Sequence, residues 1–175
     1  STIYSWDFDG DGTEDFNMPG NTTHTFTAPG VYHPQLVVYD VEACKDTFQA
    51  ELRVFQSETP CGLLSTDTTF TAAESPYYLN CDLTVDQGAT LTIEPGVTVY
   101  MDTNRIMVDG TLIANGNQTD SIRFVGDPEA KFDSLFFRQG TGELSYFTIE
   151  EGQTGIAYAN GSTANLAHGR IQACG

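Results

Sequence analysis

The stretch Gly88-Ala89-Thr90-Leu91-Thr92-Ile93-Glu94-Pro95-Gly96-Val97-Thr98-Val99 sets the pattern of the second half of the chain. Polar and apolar residues alternate between glycines, as they do in half-buried strands joined by tight corners. Thr90–Ile93 returns 21 residues later as Thr111–Ala114, and Leu144, Phe147 and Ile149 return 22 residues later as Leu166, Gly169 and Ile171. Such a period indicates a solenoid, whose coils bury their inner faces by stacking. Because no window keeps helical spacing, the pattern favours a parallel β-helix over leucine-rich repeats.

Composition supports an almost all-β protein and limits its partners. The 175 residues carry 24 Asp and Glu against 7 Lys and Arg, a net charge of −17. A chain this acidic repels phosphate, so we expect no nucleic-acid partner, and anionic membrane surfaces are disfavoured for the same reason. No apolar run approaches the roughly 18 residues of a membrane span, so no membrane insertion is expected. Divalent cations are the favoured charged partners.

The first 55 residues follow a different pattern of short strands and turns. Ile3–Phe8 alternates with period two, and its aromatic residues are most simply core residues. Further strands are predicted at Thr22–Thr27, at Val31–Val41 with an interruption at Pro34, and at Thr47–Phe55. The polar segment 56–62, Gln-Ser-Glu-Thr-Pro-Cys-Gly, is predicted to be a linker. The sequence thus divides into 1–55, the linker 56–62, and an incomplete β-helix over 63–175.

Three motifs in the first part resemble those of the PKD domain. They are Trp6-Asp7-Phe8-Asp9-Gly10-Asp11-Gly12-Thr13, then His24-Thr25-Phe26-Thr27-Ala28-Pro29-Gly30-Val31-Tyr32, and Leu36-Val37-Val38-Tyr39-Asp40. The resemblance implies an immunoglobulin-like β-sandwich of about seven strands. Because the match covers only the later strands, the sandwich here is expected to be partial. Its early strands would come from an upstream segment or from another chain.

The acidic turn Asp7-x-Asp9-x-Asp11-Gly12-x-x-Asp15 is the sharpest candidate for a metal site. Calcium binds 6 to 8 oxygen ligands. Here Asp7, Asp9, Asp11 and Asp15 would offer carboxylates, and Thr13 its backbone carbonyl. The turn follows the EF-hand pattern for nine positions and then departs from it, since Met18 stands where a bidentate Glu belongs. We therefore expect Ca²⁺ as cofactor, with a dissociation constant on the order of 10⁻⁴–10⁻³ M. The alternative is a solvated turn whose aspartates cap backbone amides.

The second part resembles the opening coils of the right-handed parallel β-helix of large secreted bacterial surface proteins. The resemblance rests on Ser75-Pro76-Tyr77-Tyr78-Leu79, on the stretch from Gly88 to Val99, and on Val108-Asp109-Gly110-Thr111-Leu112. It implies four to five coils and a secreted or cell-surface location. Three tripeptides also resemble the short O-glycosylation signal of type IX-secreted proteins, which makes Thr68, Ser121 and Ser134 candidate acceptors.

Four cysteines allow three pairings, and their spacing does not predict a zinc site. Cys61 and Cys81 bracket the start of the repeats and close a short loop, so this pair is favoured as a disulfide. Cys81 also replaces a glycine that is common in the β-helix family. Cys44 and Cys174 are left open: they stay free, pair with each other, or pair with a partner outside the chain.

These patterns predict a non-catalytic extracellular stalk, adhesin or filament segment that calcium stabilises. Its partners would be other modules of a longer protein, neighbouring subunits or a surface polysaccharide. Arg105, Arg123, Arg138 and Arg170 form no repeated acid–arginine cluster at coil spacing, so no catalytic residue is assigned. The alternatives are an ancillary part of a polysaccharide-degrading enzyme, or a carbohydrate-binding module that uses Tyr77, Tyr78 or other exposed aromatics.

Overall fold

The computed structural model describes residues 3–40, 44–54, 60–159 and 161–172. The chain forms two compact units, Ser1–Phe55 and Gln56–Gly175. Within the described ranges every regular element is a strand, apart from one short 3₁₀ turn at Ala72–Glu74. This confirms the predicted all-β class. No helix in those ranges has the length and apolar character of a membrane span.

The described residues of the first unit form five short strands in two antiparallel sheets. One sheet has the order β1-β3-β4 and the other pairs β2 with β5. The strands are β1 Ile3–Asp7, β2 Gly30–Tyr32, β3 Gln35–Tyr39, β4 Lys45–Gln49 and β5 Leu52–Val54.

Three strand predictions in this unit need correction. Thr22–Thr27 is not a strand. The predicted long strand Val31–Val41 is two strands, β2 and β3, which lie in different sheets because Pro34 cannot donate a ladder hydrogen bond. The predicted strand Thr47–Phe55 is likewise divided, into β4 and β5. The described residues of this unit contain five strands, whereas an immunoglobulin-like sandwich has about seven.

A chain of aromatic rings forms the centre of the first unit. Trp6 stacks on Phe8 with centroids 5.5 Å apart, Phe8 stacks on His24 at 4.5 Å, and the contacts continue through Phe26 to Tyr32. The segment that fails to form a strand therefore still brings His24, which is exposed, and Phe26, which is half-buried, against the other aromatic rings. Phe8 is the only fully buried hydrophobic residue among those described in this unit.

The second unit is a β-solenoid of five coils, each built from three strands. The strands are β6 Gly62–Leu64, β7 Thr68–Phe70, β8 Tyr77–Tyr78, β9 Leu83–Val85, β10 Thr90–Ile93, β11 Thr98–Asp102, β12 Ile106–Val108, β13 Thr111–Asn115, β14 Ile122–Gly126, β15 Phe132–Phe137, β16 Thr141–Ser145, β17 Phe147–Glu150, β18 Gly152–Tyr158, β19 Thr163–Ala167 and β20 Arg170–Gln172. They form three parallel five-stranded sheets, in the orders β6-β9-β12-β15-β18, β7-β10-β13-β16-β19 and β8-β11-β14-β17-β20. We number the coils 1 to 5 over residues 62–82, 83–105, 106–131, 132–151 and 152–172.

The register of the sheets confirms the repeats read from the sequence. Thr90–Ile93 pairs residue by residue with Thr111–Ala114, Leu144 pairs with Leu166, and Ile149 pairs with Ile171. In most strands from β9 to β17 the burial alternates, so that one set of apolar residues points into the solenoid. These residues form continuous columns, such as Tyr77, Val99, Phe124, Ile149 and Ile171. The columns constitute one hydrophobic core that runs through the coils.

Cys61 and Cys81 form a disulfide across coil 1, with Cα atoms 5.6 Å apart, which confirms the favoured pairing. Cys44 carries a free and exposed thiol. Cys174 lies outside the described residues, as does most of the predicted linker. Gly62, the last residue of that linker prediction, is the first residue of β6.

Candidate metal centre

The acidic turn follows directly from the end of β1. Gly10 and Gly12 adopt positive φ angles of 79° and 87°, which residues with a Cβ rarely adopt, and so allow the chain to wind tightly. The turn then returns to the strand it left: Asp15 N donates to Trp6 O at 2.7 Å, and Trp6 N donates to Phe16 O at 2.7 Å. This closure brings Asp15 beside Asp7 although the two residues are eight positions apart.

Three carboxylates converge in this turn. Asp7, Asp9 and Asp15 each place one oxygen within 4.8 Å of the other two. Asp7 is half-buried, whereas Asp9 and Asp15 are exposed. Like charges this close repel one another by about 1 to 4 kcal/mol per pair, depending on the effective dielectric. A divalent cation bound among the three oxygens would remove that repulsion.

The same carboxylates also cap backbone amides, which was the alternative interpretation of the sequence. Asp7 accepts from Gly10 N at 2.7 Å and from Gly12 N at 2.8 Å, and Asp15 accepts from Phe8 N at 2.7 Å. A carboxylate has about four lone-pair sites, so a cap leaves capacity for a metal. The caps hold the side chains in place without an ion. The two interpretations are therefore compatible in this geometry.

One of the four predicted carboxylate ligands lies outside the cluster. Asp11 does not join the three converging carboxylates. Its Oδ1 instead accepts from Thr13 N at 2.7 Å, which forms a local turn. Spacing alone made Asp11 equivalent to Asp7 and Asp9, but the direction of its side chain is set by the two left-handed glycines that flank it.

A polar cleft of about 490 Å³ adjoins the turn on the face of the three-stranded sheet. Ser5, Asp7 and Glu14 line one side of it, and Lys45 and Thr47 line the other. Glu14 accepts hydrogen bonds from Ser5 Oγ and from Asn17 Nδ2. The sequence did not single out Glu14, because a lone Glu after the Asp pattern carries no spacing signal.

Three arginines of the solenoid, Arg105, Arg123 and Arg138, form ion pairs between coils. Arg105 contacts Asp82 at 3.4 Å and Asp133 at 3.0 Å, and Arg123 contacts Glu150 at 3.0 Å. Residues this far apart in sequence meet because they lie at or next to strands that are neighbours in one sheet: Asp82, Arg105 and Asp133 are at β9, β12 and β15, and Arg123 and Glu150 are in β14 and β17. These pairs support the interpretation of the arginines as structural surface charges.

Arg138 and Asp109 form the tightest of these pairs. Arg138 Nε donates to Asp109 Oδ1 at 2.8 Å, and its Nη2 donates to Asp109 Oδ2. The hydrogen bonds from Arg138 lower the pKa of Asp109, and the same bonds raise the pKa of Arg138. The pair joins the corner of coil 3 to the end of β15 in coil 4.

The two tyrosines considered for sugar binding differ in burial. Tyr77 is 6% exposed and stacks on Phe70 with ring centroids 4.2 Å apart, so it is a core residue and the prediction of a sugar platform there is wrong. Burial raises the pKa of its hydroxyl. Tyr78 is next in sequence, so its side chain faces outward, and it lies in register with Tyr100 of the next coil.

The three predicted glycan acceptors differ in accessibility. Ser134 is 3% exposed, which leaves no room for a sugar on its hydroxyl in the folded chain, so that prediction is wrong. Ser134 lies in β15, where its side chain points into the core. Thr68 is half-buried in β7, and Ser121 is exposed just before β14. Thr68 and Ser121 stay predictions.

Comparison with known proteins supports the assignment of the first unit. Residues 1–55 match the family model of the PKD domain. The chain is 32% identical over 96 residues, 53% of its length, to a protein named Protein bark beetle from Drosophila melanogaster. It spans about 3% of the length of that relative. No solved structure matches the chain.

The predicted combination of a PKD domain and a β-helix is thus confirmed. A PKD domain joined to a β-solenoid fits an extracellular structural or adhesive module. Both kinds of module are typically non-catalytic.

Proposed function

We propose, from a PKD segment at residues 1–55 followed by a five-coil solenoid, that the chain is a non-catalytic stalk, adhesin or filament segment of a secreted or cell-surface protein. The main observation in support of this proposal is the continuous column of buried side chains that runs through the solenoid. Each coil buries its inner face only against its neighbours, so the stack resists bending as a single body. Such a module lengthens the protein that contains it and exposes surface for contact with partners, and neither role needs an active site.

Two further features would help the solenoid to resist bending and separation of its coils. Ion pairs connect Asp82 to Arg105, Asp109 to Arg138 and Arg123 to Glu150, each across a coil boundary. The Cys61–Cys81 disulfide closes coil 1, where the repeats begin. A disulfide also favours an oxidising, extracellular location.

We assign calcium to the acidic turn of the PKD segment. The three converging oxygens of Asp7, Asp9 and Asp15 support a hard cation, for which carboxylates are the preferred ligands. Three protein carboxylates are fewer than the 6 to 8 oxygens that calcium takes, so water would complete the shell. This leads us to expect a dissociation constant on the order of 10⁻⁴–10⁻³ M, the range of extracellular modules.

Calorimetric titration with Ca²⁺ and thermal unfolding with and without EGTA test this assignment. Asp9→Asn should lose Ca²⁺ binding and the stabilisation by calcium, because it removes one ligand charge from the cluster. Asp46→Asn is the matched control: it removes an exposed carboxylate of β4 in the same unit, outside the cluster. It should bind Ca²⁺ as the unmodified chain does.

A chain whose unfolding temperature does not change with Ca²⁺ at about 5 mM would contradict the calcium assignment. The turn would then be held by its amide caps alone. Equal loss of binding in both variants would point to nonspecific attraction by the net charge rather than to a site.

Carbohydrate binding is the second candidate function, and the outward pair Tyr78 and Tyr100 favours it. The two tyrosines lie in register on adjacent parallel strands, and the Tyr78 hydroxyl donates to Asp102 Oδ2 at 3.0 Å. An aromatic pair with a nearby carboxylate suits the apolar face and hydroxyls of a sugar ring. A glycan array with the unmodified chain and the Tyr78→Ala and Tyr100→Ala variants tests it, with Tyr39→Ala in the first unit as control.

A polysaccharide digestion assay tests the non-catalytic part of the proposal. The chain should release no oligosaccharide from pectin-like substrates at any pH between about 5 and 9. Release of unsaturated products would overturn the proposal in favour of an enzyme. Mass spectrometry of the chain from its native host would test Thr68 and Ser121 as O-glycan acceptors.

A further inference from the structure

One face of the three-stranded sheet in the first unit forms the floor of the polar cleft beside the acidic turn. Val37 pairs with Thr47 on β3 and β4, and Tyr39 pairs with Lys45 on the same two strands. Residues two apart on a strand share a face, so these four side chains lie on one side of the sheet. The opposite side carries Trp6, which belongs to the chain of stacked aromatic rings. The cleft is therefore on the side of the sheet that faces away from those rings.

The acidic turn supplies the rest of the lining. Gly12, Thr13 and Glu14 of the turn line the cleft together with Asp7, the last residue of β1. The volume of about 490 Å³ lies within the range of small-molecule sites. The cleft thus combines a sheet face with a turn that is fixed to the same sheet by its hydrogen bonds to Trp6.

Four of the lining side chains have hydrogen-bonding groups that the described part of the chain does not use. They are Gln35, Tyr39, Lys45 and Thr47, whose side chains form no hydrogen bond or ion pair with a described residue. Lys45 differs in this from the arginines, four of which form ion pairs with carboxylates. In a chain of net charge −17, this ammonium lines a cleft with two carboxylates and pairs with neither. The space between these groups is therefore available to a ligand.

The charges in the cleft have both signs, which limits the chemistry of that ligand. Lys45 offers three donors and no acceptor, whereas the carboxylates of Asp7 and Glu14 only accept. A free anion would be repelled by the two carboxylates, and an apolar molecule would leave the polar lining unpaired. Because a hydroxyl both donates and accepts, a neutral molecule with several hydroxyls can pair with both sides of the cleft.

We propose that the cleft binds a neutral sugar residue of a polysaccharide. The sugar hydroxyls would pair with Gln35, Lys45 and Thr47 on the sheet and with Glu14 on the turn. The ring of Tyr39 would offer an apolar surface to the C–H face of the sugar. This site belongs to the PKD segment, whereas the Tyr78–Tyr100 pair belongs to the solenoid. Because the contact is limited to one or two sugar residues, its dissociation constant is expected to be on the order of 1 mM.

Titrations of the full chain in EGTA, followed by saturation-transfer NMR, test this site independently of the calcium assignment. The probes are the methyl glycosides of glucose, galactose and mannose, N-acetylglucosamine, and glycine as a zwitterion. At least one sugar should bind, and Lys45→Met should raise its dissociation constant at least about tenfold, because a charged hydrogen-bond donor is lost. Phe48→Ala is the control and should leave binding unchanged, since Phe48 is a 66% exposed residue of the same strand that pairs with Leu36 on the opposite face.

Two tyrosine variants distinguish the cleft from the solenoid. Tyr39→Ala should abolish binding of the same sugar, and Tyr78→Ala should leave it unchanged. Trp6 fluorescence should show a folded first unit in every variant. The proposal is overturned if no sugar binds up to about 20 mM, if glycine binds more tightly than every sugar, or if Phe48→Ala weakens binding as much as Lys45→Met does. Loss of binding in Tyr78→Ala but not in Tyr39→Ala would assign the sugar to the solenoid and would equally contradict the cleft.

Discussion

At the scale of single residues, position within the solenoid decides what a side chain contributes. Ile149 and Ile171 are the same residue type, in the same column, on neighbouring coils. Ile149 is fully buried and Ile171 is about half exposed. The pair therefore isolates the effect of a covering coil from the chemistry of the side chain.

We predict that Ile149→Ala lowers the free energy of unfolding of the solenoid by about 3 kcal/mol, through lost burial and a cavity. Ile171→Ala should cost about 1 kcal/mol or less, because much of its surface is already in water. Urea unfolding followed by circular dichroism measures both. Equal costs would show that residues 173–175 or another segment covers Ile171.

At two glycines of the solenoid, a side chain would clash with the preceding coil. An added Cβ at Gly110 would lie 2.2 Å from the Asp86 carbonyl oxygen, and one at Gly169 would lie 2.3 Å from the ring of Phe147. The sequence aligned Gly169 with Phe147 of the previous coil. The structure supplies the reason: the ring occupies the space a side chain would need.

At the scale of elements, turns and corners hold the coils together. The Cys61–Cys81 disulfide joins the segment before β6 to the segment before β9. The Asp109–Arg138 pair joins the β12–β13 corner to the end of β15. The stability that the disulfide contributes therefore depends on redox state, and the stability that the Asp109–Arg138 pair contributes depends on pH.

Replacement of both Cys61 and Cys81 by Ser should lower solenoid stability by about 3 kcal/mol, the chain-entropy value for a loop of roughly 20 residues. Urea unfolding under nonreducing conditions measures this loss. Cys44→Ser, which removes the exposed free thiol, should leave stability unchanged. A double variant as stable as the unmodified chain would mean that stacking alone holds coil 1.

The Asp109–Arg138 pair predicts a pH dependence. The Arg138 hydrogen bonds lower the pKa of Asp109 in the folded state, so the pair stabilises the fold above the ordinary Asp pKa of about 3.9. That stability is lost as the pH falls through the lowered value. Asp109→Asn should therefore be less stable than the unmodified chain at pH 7, and the difference should shrink below about pH 4.

Thermal unfolding between pH 2 and 8 measures this dependence. Glu143→Gln, which removes an exposed carboxylate of β16, is the control and should show no such pH-dependent difference. A constant difference between Asp109→Asn and the unmodified chain down to pH 2 would contradict an ionised role for Asp109.

At the scale of the whole molecule, the two units differ sharply in how much core they build. Of the buried hydrophobic residues described, only Phe8 lies in the first unit, and the others form the solenoid core. Two units with such different cores are expected to unfold separately. The single tryptophan, Trp6, lies in the first unit and reports on that unit alone.

We predict two thermal transitions. Trp6 fluorescence should report the lower one, and far-ultraviolet circular dichroism should be dominated by the higher one, because most strands belong to the solenoid. Calcium should raise only the transition seen by Trp6. Coincident transitions by both probes would show that the units unfold as one cooperative body.

Sequence alone determined the class of the fold, the coil spacing and the favoured disulfide, because each depends on a local or strictly periodic pattern. Period-two alternation and a 21 to 22 residue repeat place Thr90 on Thr111 and Leu144 on Leu166 without any knowledge of coordinates. The PKD motifs likewise identified the first unit. The local pattern at Thr22–Thr27 predicted a strand, and that prediction was wrong, because contacts with residues distant in sequence decide the conformation of this segment.

Only the tertiary structure decided which side chains meet. It brought Asp7, Asp9 and Asp15 together and turned Asp11 away, because the return of the chain to Trp6 and the glycine φ angles set those directions. It buried Tyr77 and Ser134 and exposed Leu166, because burial depends on which coil lies above a residue and not on the residue itself. Spacing in the sequence fixes which face of a strand a side chain occupies, but neighbours distant along the chain determine what that face touches.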